Sequence, residues 1–440
     1  MYILFILGSF FFYLGMAAQN LGLLLSFIIA PYMIFGFGTL DQRRMIRSLG
    51  LSLMALWLIW PLFNLISYLL PYRHSLEFPT ANWLGPLNIK NFSTLSGPIF
   101  KSQIPSSIGV SGAFMWALTF FQTRRTSSSF SFSDWIYVCA LSIVLFSIYF
   151  VLQHVTGYDF RASQAYLQNM QFPGGTYRIQ GFSGHPLTIA GISLCLVGFS
   201  ASLLASTFKS QKKTSRPLFI ILFANLFFLF ASGGRTALAI GLCAVMFLLF
   251  MNARSYFTGK SFSIFFASLA TILGILLYQS SIGMRFAELN FMSNSGNIPN
   301  RFTFWRVHWQ MFKDSPLWGQ GYSHLSSGVR IMYYDALGYK DFPERFNAHN
   351  MFFETISNIG ILGTVMVVLL FIHMYRVLSK FTYGVQLNSK LFKALQLSII
   401  LNFIHGLTQN VFYDSGVTVV YTCLLWLVIW STTKGEHFEV

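Results

Sequence analysis

The sequence predicts an all-α integral membrane protein: about 12 transmembrane helices in a single polytopic domain over residues 1–440, with a large external loop at 280–349 containing short amphipathic helices. Three observations carry this. Hydrophobic residues make up 54% of the chain and aromatics 18%. Charged residues make up 10%, against about 25% in an ordinary soluble domain. Apolar runs recur at the length of roughly 20 residues that a helix needs to cross a hydrocarbon core of about 30 Å.

The first run, "MYILFILGSFFFYLGMAAQN", has no basic segment ahead of it and is followed at once by another apolar stretch, so it reads as a retained span at 2–18. Spans follow at 20–40, 48–70, 104–121, 135–155 and 186–207, where Pro186 suits a first helical position. Residues 218–252 read as two short helices, 218–231 and 236–252, around "SGGR", because one long helix would put the basic 208–217 and 376–393 loops on opposite membrane faces. Each flanking run falls short of a full span, so the turn at Ser232–Arg235 is expected to lie sunken in an outward cavity. Spans at 263–279, 350–375, 394–410 and 416–432 complete the set.

Orientation comes from the basic residues. Sixteen Lys and Arg fall in the inner loops and six in the short outer loops, while seven lie in the 280–349 loop, which is too long for the rule to operate. Both termini are therefore expected in the cytoplasm. The same topology accounts for part of the net charge of +16, so nucleic acid is not needed as a partner. Cys139, Cys195, Cys243 and Cys423 all sit in apolar runs and point to neither a loop disulfide nor a metal cluster.

The polar residues that stand out are on the outer side. Arg235 follows the Gly-Gly turn, where an arginine either snorkels to headgroups or faces a cavity with an anionic partner. Arg178, in "GGTYRIQGFSGHPLTIAG", is a second cation at a span entrance. In "NRFTFWRVHWQMFKDSPLWGQG", Phe302, Trp305, Trp309 and Phe312 form one helical stripe that reads as packing. Arg301 and His308 border that stripe and Arg306 lies further round. His349, in "NAHNMFFETISNIGILG", is either a hydrogen-bonded interfacial residue or a general base. Asn350 is a natural N-cap, and Glu354 and Asn358 read as helix-start and packing residues. The sequence has no paired-carboxylate, HExxH, GxSxG or phosphate-loop motif, so no cofactor or metal is expected.

His349-Asn350, nine residues, Gly360, two residues and Gly363 together resemble a signature of the bacterial O-antigen ligase and polymerase superfamily. "RIQGFSGHP", "SGGRTA" and "RFTFWRVHWQMFKDSPLWGQG" support the resemblance, which covers roughly 175–375. It implies a glycosyltransferase of the bacterial inner membrane with a periplasmic active site. Its donor would be a glycan on undecaprenyl diphosphate and its acceptor lipid A–core. On that resemblance His349 is the essential base and Arg235, Arg301 and Arg178 hold the diphosphate, with Asn350 and Arg306 as supporting residues. The superfamily also includes polymerases, whose acceptor is a second lipid-linked glycan, and pilin glycosylases. A non-enzymatic transporter of lipid-linked glycans is the reading from another class. It is disfavoured because the polar residues cluster at one face and no internal repeat is evident.

Overall fold

The computed structural model describes residues 132–159, 171–172, 175–181, 185–207, 212–253, 297–321, 324–339, 347–382 and 386–411, with separate positions between 44 and 66 and between 414 and 428. Its elements in chain order are α1 (Phe132–Thr156), α2 (Pro186–Thr207), α3 (Lys212–Ser232), α4 (Arg235–Ala253), α5 (Asn297–Asp314), α6 (His324–Ala336), α7 (Met351–Thr382) and α8 (Gln386–Gly406). No strand occurs among the described residues; a single antiparallel bridge joins Gln171 and Tyr177.

Stretches in α1, α2, α3 and α7 are long and apolar enough to cross a membrane, and Arg235–Met251 in α4 is a shorter apolar run. Helices coincide with the expected spans at 135–155, 186–207, 218–231, 236–252, 350–375 and 394–410. Separate positions within 48–70 and 416–432 are helical, while 2–18, 20–40, 104–121 and 263–279 lie outside the described residues. The two-helix reading around "SGGR" is observed: α3 ends at Ser232, Gly233 takes a φ of 70°, and α4 starts at Arg235. That φ belongs to the left-handed region, which glycine enters at no steric cost.

The core is organised around α2, whose apolar window is 89% buried and which packs against α3, α8 and α4. Gly198 lets α8 come close, since a Cβ there would lie 3.0 Å from the Cα of Ser398. At that approach the Ser398 hydroxyl donates to the Cys195 carbonyl (2.8 Å), a cross-helix bond of the kind small residues permit. By contrast α1 turns Leu141, Leu145, Ile148, Leu152 and Val155 outward and buries Ile136, Ile143, Phe146 and Phe150. Apolar residues on both faces are what a helix between protein and lipid requires.

In α7 the φ/ψ of Gly360 (64°, −172°) breaks the regular helix, so the expected 350–375 span is two pieces. Residues 361–382 alone rise about 33 Å, enough to cross a bilayer. Outward-facing Ile361, Leu362, Val365, Met366, Leu369 and Ile372 begin directly after the break.

α5 and α6 fall within the 280–349 region and pack on each other, and α5 packs on α7. The buried face of α5 is Phe304, Val307, His308 and Met311, set against Tyr333 and Tyr334 of α6. The stripe expected to pack is on the other side: Phe302 is 59% and Trp309 44% exposed. Its rings instead form a chain with α7, with Trp305 stacked on Phe353 at 5.6 Å and Trp309 edge-on to it at 6.4 Å. Periodicity found the helix, and the stripe packs in part, through Trp305 and Trp309 on Phe353, while Phe302 stays exposed.

Candidate functional site

The ends of α1, α3 and α8 and the starts of α2, α4 and α7 meet at one end of the bundle, the set of ends that the charge-based topology places together. Hydrogen bonds hold this end. The amide of Tyr177 donates to the His154 carbonyl (2.8 Å), and that of Ile179 to Ala231 (3.0 Å). Gln153 Oε1 accepts from the amides of Gln180 (2.9 Å) and Gly181 (3.0 Å), and the side-chain amides of Gln153 and Gln180 both donate to Asp159. The 177–181 segment is thus laced between the ends of α1 and α3.

This lacing delivers Arg178, whose Nε donates to the Ser232 carbonyl (2.9 Å) beside the Gly233–Gly234 turn. Arg235 opens α4 on the far side of the same turn. Arg301 arrives from α5: burial and then the charge of Arg235 lower its pKa. The Arg301 charge also reaches His405 at the end of α8. Arg235 and Arg301 therefore share one electrostatic neighbourhood, and Arg178 is held at the turn that Arg235 follows.

His349 stands just before α7 with a φ of 45°, in a region that costs a non-glycine residue on the order of 1–2 kcal/mol. Neighbouring contacts hold it there. The Ala348 amide donates to Glu354 Oε2 (2.7 Å), and Trp305 Nε1 donates to the Ala348 carbonyl (3.1 Å). Asn350 is a true N-cap, its Oδ1 accepting from the amides of Phe352 (2.9 Å) and Phe353 (3.2 Å). Such a cap stabilises a helix by about 1 kcal/mol. The His349 ring lies 5.5 Å from that of Phe304, and its Nδ1 is 3.1 Å from Gln409 Oε1. Partial desolvation, then Arg178 and His349, lower His185 to about 4. That coupling ties the α2 entrance to the same group. Arg306 is exposed and donates to Tyr339 Oη (3.3 Å), a contact that links α5 to the end of α6.

Gly360 of the His349 signature has a mechanical reason. At the Gly360 break the helix presents two carbonyls and two amides that lack helical partners. The amides of Gln320 and Gly321 donate to the Ser357 (2.8 Å) and Asn358 (2.9 Å) carbonyls. In return Ile361 and Leu362 donate to Pro316 (2.8 Å) and Leu317 (3.2 Å). A Cβ at Gly319 would lie 2.3 Å from the Asn358 carbonyl carbon, so "PLWGQG" and "NIGILG" interlock backbone to backbone.

Several residues of this end were not legible beforehand. Glu354 is a buried junction, accepting from Ala348, Asn358 Nδ2 (3.1 Å) and Asn410 Nδ2 (3.3 Å), with Arg330 Nη1 at 4.0 Å. His308, expected at the border of the aromatic stripe, is buried with Nδ1 2.7 Å from Ser357 Oγ. Its Nε2 lies 3.8 Å from Glu354 Oε2. Burial above all, then Arg330 and His349, lower His308 to about 4 against the opposing pull of Glu354. The segment 405–414 was read as the end of a span and nothing more. In fact His405 Nδ1 lies 3.4 Å from Thr236 Oγ1, Thr408 Oγ1 donates to Thr236 (3.1 Å), and Asp414 accepts from Thr188. These partners are hundreds of residues apart and leave no local pattern. Among the described residues, no group of three or more His, Cys, Asp or Glu side chains forms a metal-binding cluster.

Fold and site define a polytopic helical membrane protein with a histidine and several arginines gathered at one end of its bundle. Residues 218–368 match the family model Wzy_C, O-antigen ligase, which supports membership of the O-antigen ligase and polymerase superfamily and implies a membrane glycosyltransferase-like enzyme. The match contains Arg235, Arg301, His349, Gly360 and Gly363, and stops before the 405–414 segment. A search of curated proteins found no match.

Proposed function

We propose that this chain is an O-antigen ligase-type enzyme, moving a glycan from undecaprenyl diphosphate to lipid A–core at the periplasmic face of the inner membrane. The reading is supported by three observations: Arg301 feels the charge of Arg235, Arg178 is held at the Gly233–Gly234 turn that Arg235 follows, and Arg178 and His349 both act on His185. Like charges so gathered repel one another, as the effect of Arg235 on Arg301 records, and a bound diphosphate relieves that repulsion. Guanidinium forks suit phosphate oxygens in geometry as well as charge.

In the reaction the acceptor hydroxyl oxygen bonds to C1 of the donor glycan as the bond from C1 to the phosphate oxygen breaks. The diphosphate leaves with the electron pair, stabilised by the arginines. Preorganised cations acting on developing charge are usually a large catalytic contribution. His349 takes the acceptor proton, a role worth typically about 10²–10⁴-fold. Asn350 caps the helix that presents it. The shorter apolar run of α4, Arg235–Met251, agrees with a sunken turn that receives the diphosphate below the membrane surface.

The acceptor is tested by deleting the gene and analysing the glycolipids. Loss of a ligase strands polymerised glycan on undecaprenyl diphosphate. Lipid A–core bearing a single repeat would instead identify a polymerase. A block in which lipid-linked glycan stays on the inner leaflet would identify a transporter.

A further inference from the structure

We propose that Gln409 is the positioning residue of His349. Its side-chain oxygen, 3.1 Å from Nδ1, holds the ring with Nδ1–H directed at the protein and Nε2 as the basic nitrogen. The proposal rests on the base role given to His349 above. The tautomer of a histidine is set by the bond its other nitrogen makes, so the partner of Nδ1 decides which nitrogen can accept a proton.

The chain around Gln409 is fastened on both sides to the elements that carry His349. Leu407 accepts from Asn350 Nδ2 (2.8 Å), and Asn410 donates to Glu354 Oε2 (3.3 Å). Between them Thr408 donates to Thr236 Oγ1 (3.1 Å), next to Arg235, while its amide holds the His405 carbonyl (2.9 Å). Gln409 is 9% exposed. Every neighbour of Gln409 in this turn is thus pinned to α4 or α7, and its carboxamide meets the imidazole in a fixed register.

A neutral carboxamide suits this place better than a carboxylate. A carboxylate would favour the imidazolium and draw on the cations meant for the diphosphate. The carboxamide oxygen orients the ring without adding charge. When the acceptor proton moves to Nε2, the Nδ1–H bond to Gln409 is retained and the imidazolium stays in place. Titratable and charged groups that bear on His349 include His185 at the α2 entrance, His308 of α5, and Glu354 of α7 through Ala348. Arg178 acts on the same neighbourhood through His185. All remain unchanged when Gln409 alone is altered.

The test uses the full-length chain purified in detergent, as wild type, Gln409→Glu, Gln409→Met and His349→Ala. Modification of His349 by diethyl pyrocarbonate is followed across pH by mass spectrometry, alongside glycan transfer from a lipid-linked donor. Gln409→Glu is expected to raise the modification midpoint and the acid limb of transfer by about 1–3 pH units. Gln409→Met is expected to keep its melting temperature and donor KM and to lose roughly 10–100-fold in kcat. An unmoved midpoint in Gln409→Glu, with transfer abolished in His349→Ala, overturns the positioning proposal and leaves the base role standing. A shifted midpoint with transfer intact in His349→Ala upholds the contact and removes the base role.

Discussion

A Cβ added to Gly360 would lie 2.3 Å from the carbonyl oxygen of Leu317, closer than any side chain tolerates. The break in α7 and the 316–321 turn are therefore one unit, and the piece of helix that carries His349 is set by that unit.

Gly360→Ala is expected to cost at least about 3 kcal/mol, from a backbone region open essentially to glycine plus the clash with Leu317. Gly338→Ala is the control: its φ is also positive (84°), but nothing lies within 4 Å of the added Cβ. It is expected to cost about 1 kcal/mol. Thermal melts in detergent compare the two, and equal shifts would remove the interlock as the reason for the glycine.

Burial decides between two aromatics of α5. Phe304→Ala opens a cavity against Tyr334 and His349 and is expected to cost about 3–5 kcal/mol. Trp309→Ala removes a half-exposed ring and is expected to cost clearly less. Comparable losses of melting temperature would mean that the aromatic stripe carries as much of the packing as the Phe304 face.

His308 makes stability depend on pH. Its pKa falls from 6.5 to about 4 on folding, so the unfolded chain binds more protons between these values. The stabilisation is fully present above pH 6.5 and is lost as pH falls toward 4. The whole change is on the order of 3 kcal/mol. Melting temperature against pH is expected to fall over this window in the wild type and to fall less steeply in His308→Gln, where His185, also lowered to about 4, still contributes. A parallel decline in both would contradict the assignment.

Arg178→Lys keeps a charge but loses the Nε bond to Ser232 that aims the guanidinium at the turn. Donor KM is expected to rise about tenfold, equivalent to about 1.4 kcal/mol. An unchanged KM would remove Arg178 from the diphosphate site.

Much of this architecture was legible because bilayers impose long apolar runs. The helices around "SGGR", the α2 start at Pro186 and the cap at Asn350 all follow from local rules. The buried face of α5 was not legible. Trp309 and Phe302 share a helical stripe, yet smaller residues and a histidine face the core, and periodicity alone does not say which side is covered. Glu354 read as a helix-start residue because its partners Ala348 and Asn410 lie on both sides of it, the latter 56 positions on. Gln409 is 60 positions from His349 and carries no motif. Contacts made across helices leave no periodic trace in the sequence.

The central claim is that His349 accepts the acceptor proton. The direct measurement is glycan transfer from an undecaprenyl-diphosphate-linked donor by purified His349→Ala, with melting temperature as the check on folding. A fall of at least about 10²-fold in kcat in a folded variant is the predicted result. Wild-type transfer by a folded His349→Ala protein would contradict the claim.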